Sequence, residues 1–245
     1  MAWLILVAVM AALSFASNAA VADQTSQTSQ TSQPSIGIYT STDPQQPPTI
    51  YGLPAAAHDD SFYRYTTGVG GLVQYGILLL VVLVIAGGLP RKEVFALYRP
   101  KSWPRALGLV LGVLAATYVV LALASAALGG GGKPDQGIPV FWDGSRAAQF
   151  ALSFLVVAVV APIVEELTFR GLGFGLLSKY GVRVALVGTA VLFGLVHGFL
   201  VALPLFVIVG LALGWLRMRS GSVYPGMVMH GLFNAAVTVA AISLG

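Results

Sequence analysis

Long apolar runs separated by short polar stretches dominate the chain after residue 66. Six of these runs approach the length of about 20 residues that a helix needs to cross a bilayer. The fifth run is short and contains Pro204, so we expect it to tilt or kink. The pattern predicts an all-α, polytopic transmembrane helix bundle with six core spans. The spans cover residues 67–89, 106–129, 147–178, 184–200, 202–216 and 223–243.

The amino-terminal part of the chain has a different pattern. Residues 2–16 are apolar, and Ala20-Val21-Ala22 fits a small-residue cleavage site. Residues 1–22 therefore resemble a secretory signal peptide, although no Lys or Arg precedes the apolar core; an uncleaved amino-terminal anchor is the alternative. Residues 23–66 contain TSQ repeats, a Pro/Gln stretch and few apolar positions, which predicts a disordered extracytoplasmic linker.

The amino-acid composition is typical of a protein that lies mostly within a lipid bilayer. Of 245 residues, 57% are hydrophobic and 9% are charged, and the mean hydropathy is +0.84. The absence of Cys excludes disulfides, thiolate catalysis and zinc sites built on thiolates. The net charge of +4 does not predict a nucleic-acid partner, because the basic residues lie mostly in the loops between the apolar runs.

The distribution of basic residues predicts the orientation. Most Lys and Arg residues outside the apolar runs follow the first, third or fifth run and form the main basic group. On the opposite side of the bilayer lie only Arg64, Lys133 and Arg146. The positive-inside rule then places the amino-terminal linker and the carboxyl terminus outside the cytoplasm. The signal-like start and the exported linker favour a prokaryotic cell (inner) membrane. The main group follows the first, third and fifth runs and consists of Arg91, Lys92, Arg99, Lys101, Arg105, Lys179, Arg183, Arg217 and Arg219.

Three polar clusters interrupt the apolar second half of the chain. Ionisable groups cost several kcal/mol inside a bilayer, so they persist where they pair, line a cavity or do chemistry. A pair of Glu, two His and an Asn on neighbouring spans therefore predict a functional cluster. The three clusters read Glu165-Glu166-Leu-Thr-Phe-Arg170, Phe193-Gly-Leu-Val-His197 and His230-Gly-Leu-Phe-Asn234.

Helix geometry places the three polar clusters at a similar depth in the bilayer. Glu165 and His197 lie thirteen and fourteen residues from the same turn, or roughly 20 Å at 1.5 Å per residue. His230 lies eleven residues beyond Arg219, or roughly 16 Å inward on the last span. Each cluster also carries an i, i+4 pair, which shares a helix face. Glu165 and Glu166 point about 100° apart, so one carboxylate at most faces a given target.

Such a layer of side chains is sufficient for amide hydrolysis by activated water. A carboxylate takes a proton from water, and an imidazole orients that water or shares the proton. A second His and an Asn donate hydrogen bonds to the oxyanion. The H-E-x-x-H, G-x-S-x-G and G-x-G-D motifs of other proteases are absent. For Glu166 and Arg170, a buried ion pair that settles helix packing is the alternative reading.

The series E-E-x-x-x-R, F-x-x-x-H and H-x-x-x-N, over roughly residues 147–240, resembles the CPBP family. This family comprises CAAX prenyl protease type II and bacteriocin-processing or immunity proteins, and is also called the Abi family. The resemblance implies an all-helical, glutamate-dependent intramembrane endopeptidase. It implies that Glu165 activates water with help from His197, and that His230 and Asn234 stabilise the oxyanion. Three further residues match the motifs, and the resemblance implies that they have supporting roles: Glu166, Arg170 and Phe193.

The resemblance makes residues 147–245 the catalytic core and suggests partners. The apolar runs outside it predict two peripheral transmembrane helices in residues 67–129 and an extracytoplasmic loop in residues 130–146. The implied substrate is a membrane-associated protein or lipidated peptide in the lipid bilayer. The implied chemistry needs no cofactor. Zinc held by Glu165, His197 and His230 is the alternative, although Asn is an uncommon zinc ligand.

Two other functions are compatible with a membrane bundle. One is a non-catalytic membrane adaptor or immunity protein, which would have no need for the costly polar cluster. The other is a proton-coupled transporter, which would show inverted repeats that this sequence lacks. Finally, G-x-x-x-G pairs at residues 171–175 and 194–198 predict a close approach of the helices that carry the first two clusters.

Overall fold

The structure is a computed structural model that describes residues 1–31, 60–127, 139 and 141–244. Within these ranges every regular element is helical and there is no strand. A short 3₁₀ turn, Ser61–Tyr63, precedes the second helix. The helices are α1 Ala2–Thr31, α2 Tyr65–Ile85, α3 Arg91–Val94, α4 Trp103–Ala127, α5 Gly144–Tyr180, α6 Val182–Leu195, α7 Leu203–Ser220 and α8 Tyr224–Leu244.

Six of the described helices are long and apolar enough to cross a membrane: α1, α2, α4, α5, α7 and α8. The predicted all-α, polytopic bundle is therefore confirmed. The expectation that the fifth run is short is wrong, because α7 spans Leu203–Ser220 with Pro204 in its first turn, where Pro is tolerated. The short helix is α6, which ends at Leu195 before a left-handed glycine, Gly198.

The predicted long third span is α5, a helix of 37 residues. Two π-helical segments interrupt it, Val156–Val160 and Leu167–Gly173. Segments of this kind are rare and concentrate at functional sites, because an extra residue per turn redirects the side chains that follow. In α5 they lie on either side of the Glu165-Glu166 pair, which itself belongs to the α-helical segment Ala161–Glu166.

Two predicted segments fall largely outside the described residues, namely the linker 23–66 and the loop 130–146. The described parts add two facts about them. Helix α1 continues through Thr31, beyond the predicted cleavage site. Residues on the other side of the linker form the 3₁₀ turn that leads into α2.

A polar cluster joins the beginnings of α2 and α5. Arg146 pairs with Asp143 at 2.6 Å and with Asp60 at 3.1 Å, and Asp60 also pairs with Arg64. Hydrogen bonds from the Ser145 hydroxyl and from Arg146 hold the pKa of Asp143 at about 2. Asp143 is therefore charged at neutral pH and caps the first turn of α5 through the Ser145 amide.

The apolar core runs from the first helix of the bundle to the last. Trp3 and Val7 of α1, Val82 of α2, Phe169 of α5 and Met229 of α8 are all buried in one cluster. Residues from α1 and α2 therefore pack against the region that carries the three polar clusters. These helices lie outside the CPBP-like match, and the structure nevertheless makes them part of the same core.

Glycines determine how closely the helices approach. A Cβ on Gly210 of α7 would lie 2.9 Å from the Ala190 Cα of α6, so these two backbones touch. The helices that carry the first two clusters do approach each other, with Phe169 and Phe193 5.5 Å apart between ring centroids, but not through the predicted glycine pairs. Gly171 and Gly175 face Phe95 and Val94 instead, because the α3 region packs against that side of α5.

Replacing Gly210 with Val tests the contact between α6 and α7. Overpacking typically costs about 1–3 kcal/mol, and here the obstacle is backbone, so we expect a lower unfolding temperature for Gly210→Val in detergent. Gly112→Val is the control, because Gly112 faces an apolar groove of about 580 Å³ between α4 and α7 and has no atom near its missing Cβ. Equal unfolding temperatures for the two variants would contradict this packing.

Candidate active site

The structure brings the first and third polar clusters into direct contact. The His230 imidazole of α8 is 4% exposed and lies between the two carboxylates of α5. Its Nε2 is 3.8 Å from Glu165 Oε2, and its Nδ1 is 3.4 Å from Glu166 Oε1. One imidazole therefore lies within a short distance of both acidic side chains.

The other oxygen of Glu165 has a partner that the motifs do not contain. Tyr75 of α2 donates its hydroxyl hydrogen to Glu165 Oε1 at 2.7 Å. Sequence reasoning missed Tyr75 because α2 lies outside the CPBP-like match. The available signal was the polar pair Gln74-Tyr75 in the middle of an apolar run. Tyr75 and His230 thus hold Glu165 from opposite oxygens.

The second carboxylate, Glu166, is paired with an arginine. Arg170 Nη1 donates to Glu166 Oε1 at 3.0 Å, and both side chains are fully buried. Arg170 Nη2 donates to the Gly210 carbonyl of α7 at 2.9 Å, and the guanidinium lies 4.4 Å from the Phe193 ring centroid. A Cβ on Gly226 of α8 would lie 2.6 Å from Glu166 Oε2, so only glycine fits there. The Glu166–Arg170 pair therefore joins α5 to α7 and α8.

The position of His197 defines its tautomer. His197 Nδ1 lies 2.7 Å from the Phe193 carbonyl oxygen, which only accepts hydrogen bonds. Nδ1 must therefore carry the hydrogen, and Nε2 is left as an acceptor. The imidazole stacks on Phe206 of α7 at 4.1 Å between centroids, a contact that the motifs did not indicate.

Phe193 connects the two imidazoles. Its ring meets His197 edge-to-face at 4.7 Å and His230 at 5.7 Å between centroids, and it is only 1% exposed. The ring thus forms an apolar wall between the second and third clusters. Its supporting position in the motif corresponds to a packing contact with both histidines.

Asn234 lies one turn beyond His230 on α8 and turns toward α5. Its Nδ2 donates to the Val157 carbonyl at 2.9 Å, within the first π-helical segment. A side-chain amide carries two N–H groups, so this bond uses one donor and leaves the second. The π segment therefore fixes the orientation of the Asn234 amide.

The described residues contain no group of three or more His, Cys, Asp or Glu side chains with the proximity that a metal ion requires. Within the trio Glu165, His197 and His230, His197 binds the Phe193 carbonyl through Nδ1, and Glu165 binds Tyr75 through Oε1. These two bonds leave His197 Nε2 and Glu165 Oε2 for other partners.

Comparison with known proteins agrees with the motif analysis. The family model for the Rce1-like type II CAAX prenyl endopeptidases matches residues 147–236, which contain all three polar clusters. YdiL of Bacillus subtilis (strain 168), described as a candidate membrane peptidase, is 24% identical over 199 residues, covering 77% of this chain and 78% of the relative. No solved structure matches the chain. The three clusters on α5, α6 and α8 therefore lie in the part of the chain that is similar to the Rce1-like type II CAAX prenyl endopeptidases.

Proposed function

We propose that this protein is an intramembrane endopeptidase in which Glu165 and His197 activate a water molecule. One observation carries the proposal: only one of the two adjacent carboxylates is paired with an arginine. Arg170 neutralises Glu166 at 3.0 Å inside the bundle. Glu165 instead contacts a hydroxyl and an imidazole, and 13% of its side chain is exposed. Glu165 is therefore the carboxylate available for proton transfer.

The proposed reaction begins with one water molecule between Glu165 and His197. His197 Nε2 accepts one hydrogen of that water, because Nδ1 is committed to the Phe193 carbonyl. Glu165 takes the other hydrogen as the water oxygen attacks the carbonyl carbon of the scissile bond. Glu165 then returns its proton to the departing amine, which leaves a carboxylic acid and an amine.

The proposed oxyanion donors lie on α8. Asn234 has a second N–H beyond the one that binds Val157, and its orientation is fixed by that bond. His230 lies beside Glu165 and reaches the same layer. Donors fixed in advance, away from bulk water, stabilise developing charge without reorganisation. This assignment gives a function to the Asn234 amide, a polar group with a fixed orientation in an otherwise apolar bundle.

The proposed substrate is a membrane-associated protein or a lipidated peptide. The helices that carry the site expose large apolar side chains, such as Leu155 of α5, Val184 of α6 and Leu232 of α8. The substrate is therefore expected to approach through the bilayer. The family name and the peptidase description of YdiL both support cleavage of a peptide bond. The distribution of Lys and Arg supports an orientation with the amino-terminal linker and carboxyl terminus outside the cytoplasm.

The main test is the variant Glu165→Gln, compared with the native chain at equal expression. Gln keeps the shape and the contact with Tyr75 but removes the base, so we expect hydrolysis to fall by roughly 10²-fold or more. Sequencing protein termini in the membrane and secreted fractions should reveal a precursor that accumulates uncut. Glu93→Gln is the control, since Glu93 is an exposed carboxylate on α3. Unchanged termini with a retained phenotype would instead indicate a non-catalytic adaptor.

Removing the hydroxyl of Tyr75 tests how Glu165 is held. A hydrogen bond to a charged group contributes about 1.5–3 kcal/mol, so kcat for Tyr75→Phe should fall roughly 10- to 100-fold. KM should change little, because the hydroxyl contacts Glu165 and not the substrate. Tyr63→Phe is the control, because it loses a bond of the same length, 2.7 Å to the Phe141 carbonyl, and the bond that its hydroxyl accepts from the Asp143 amide, and neither partner is a site residue. A kcat loss shared by both variants would refute a specific role for Tyr75.

Chelation tests the metal-free chemistry. Because the proposed roles use Glu165, His197, His230 and Asn234 for proton transfer and hydrogen bonding, we expect 1,10-phenanthroline to leave the cleavage rate of native membranes unchanged. Loss of cleavage that added zinc restores would overturn this part of the proposal and assign the three ionisable residues to a metal.

A further inference from the structure

We propose that residues 2–20 are retained in the mature protein as a structural membrane helix, and that Trp3 and Asn18 position the two helices that carry the site. This segment is the one whose sequence resembles a cleavable signal peptide. The inference rests on contacts of α1 with α5 and with the turn after α6. Retention stands independently of the proposed peptidase function; the positioning role deepens that proposal.

Trp3 is the first of these contacts. It is 2% exposed, and its indole Nε1 donates to the Thr168 carbonyl at 3.0 Å. Its ring packs edge-to-face on Phe169 and fills the space beside Gly173, where a Cβ would overlap the indole. All three partners belong to the π-helical segment of α5 that follows Glu166. The indole therefore fits a notch that only glycine at position 173 leaves open.

Asn18 makes the second contact, near the other end of the apolar helix. Its Nδ2 donates to the His197 carbonyl at 3.3 Å. The next residue, Gly198, has φ +75°, and a Cβ there would lie 2.7 Å from Asn18 Nδ2 and 2.8 Å from the Ser14 carbonyl carbon. The turn that follows His197 is therefore shaped against α1. Asn18 is a polar residue in the apolar helix, and its bond holds the backbone of the proposed water-orienting histidine.

The membrane makes these contacts costly to remove. Loss of α1 would uncover the part of the core that Trp3 and Val7 contact, together with the partly buried Leu6, Met10 and Ala11. It would also remove the side-chain donors from the Thr168 and His197 carbonyls, and lipid supplies no replacement. If this segment were cleaved off as a signal peptide, the mature bundle would lose the side chain that fills the space beside Gly173.

The amino-terminal peptide of the purified native protein tests retention. We expect mass spectrometry of the membrane-extracted chain to recover peptides covering residues 2–20. A mature chain that begins just after Ala22, with those peptides absent, would overturn the proposal. This measurement needs no substrate, so its outcome is independent of whether the protein is a peptidase.

Histidine NMR tests the positioning role in the full-length chain. The sequence has three His, at positions 58, 197 and 230, so imidazole resonances are readily assigned. Asn18→Leu removes the donor to the His197 carbonyl and should shift the His197 ring resonances while leaving those of His58 in place. Ser17→Leu is the control, because Ser17 is an exposed neighbour on the same helix. An unmoved His197, or the same shift in both variants, would refute positioning by Asn18.

Trp3→Phe provides a second variant for the other contact. It keeps an aromatic ring but loses the donor to Thr168, so its unfolding temperature in detergent should fall below that of the native chain. Trp103→Phe is the matched control, because Trp103 is 42% exposed at the start of α4. Equal effects of the two substitutions would show that α1 is only a peripheral anchor.

Discussion

The structure depends on one buried ion pair. Arg170 and Glu166 are completely enclosed, and in lipid neither charge survives without the other. The pair also binds the Gly210 carbonyl and lies over Phe193, so the same guanidinium joins α5, α6 and α7. Because Glu166 is used in this way, the adjacent Glu165 is the carboxylate without an arginine partner. In the proposed function, the two neighbouring acids therefore have different roles, Glu166 structural and Glu165 reactive.

The environment of Glu165 follows from that division. Its carboxylate lies between Tyr75 of α2 and His230 of α8, while His197 is oriented by the Phe193 carbonyl. Each of these side chains belongs to a different helix, so the arrangement exists only when the bundle is assembled. Close contacts at Gly210 and Gly226 allow the backbones to approach as far as the polar groups require. Packing and reactivity are therefore coupled through the same few residues.

Much of this arrangement follows from the sequence. The apolar runs predict the spanning helices, and the i, i+4 spacing predicts which polar residues share a face. The 100° separation predicts that Glu165 and Glu166 do not face the same target. Arg170 and Tyr75 agree with this, since each binds one carboxylate, but His230 lies close to both. Features that depend on tertiary contacts were not predictable. The π segments of α5 leave no local sequence signal, and Tyr75 resembles any tyrosine in an apolar span until α2 is packed beside α5.

The amino-terminal helix shows the same limit in a different form. Small residues at positions 20–22 favour cleavage when read locally, whereas the tertiary contacts of Trp3 and Asn18 favour retention. The local sequence of this helix resembles a signal peptide, whereas the burial of its side chains shows that the rest of the bundle packs against it. The short helix α6 is a second example of a feature that local sequence does not predict. Its end is determined by the turn at Gly198, which packs against α1.

The central claim is that Glu166 is structural and Glu165 is reactive. Thermal unfolding of Glu166→Gln and Glu165→Gln, measured side by side in the same detergent, tests this claim most directly. Breaking a buried pair leaves Arg170 uncompensated and costs about 3–5 kcal/mol, so Glu166→Gln should unfold at a clearly lower temperature. Glu165→Gln should unfold at the native temperature. The reverse order, or equal losses in both variants, would contradict the account.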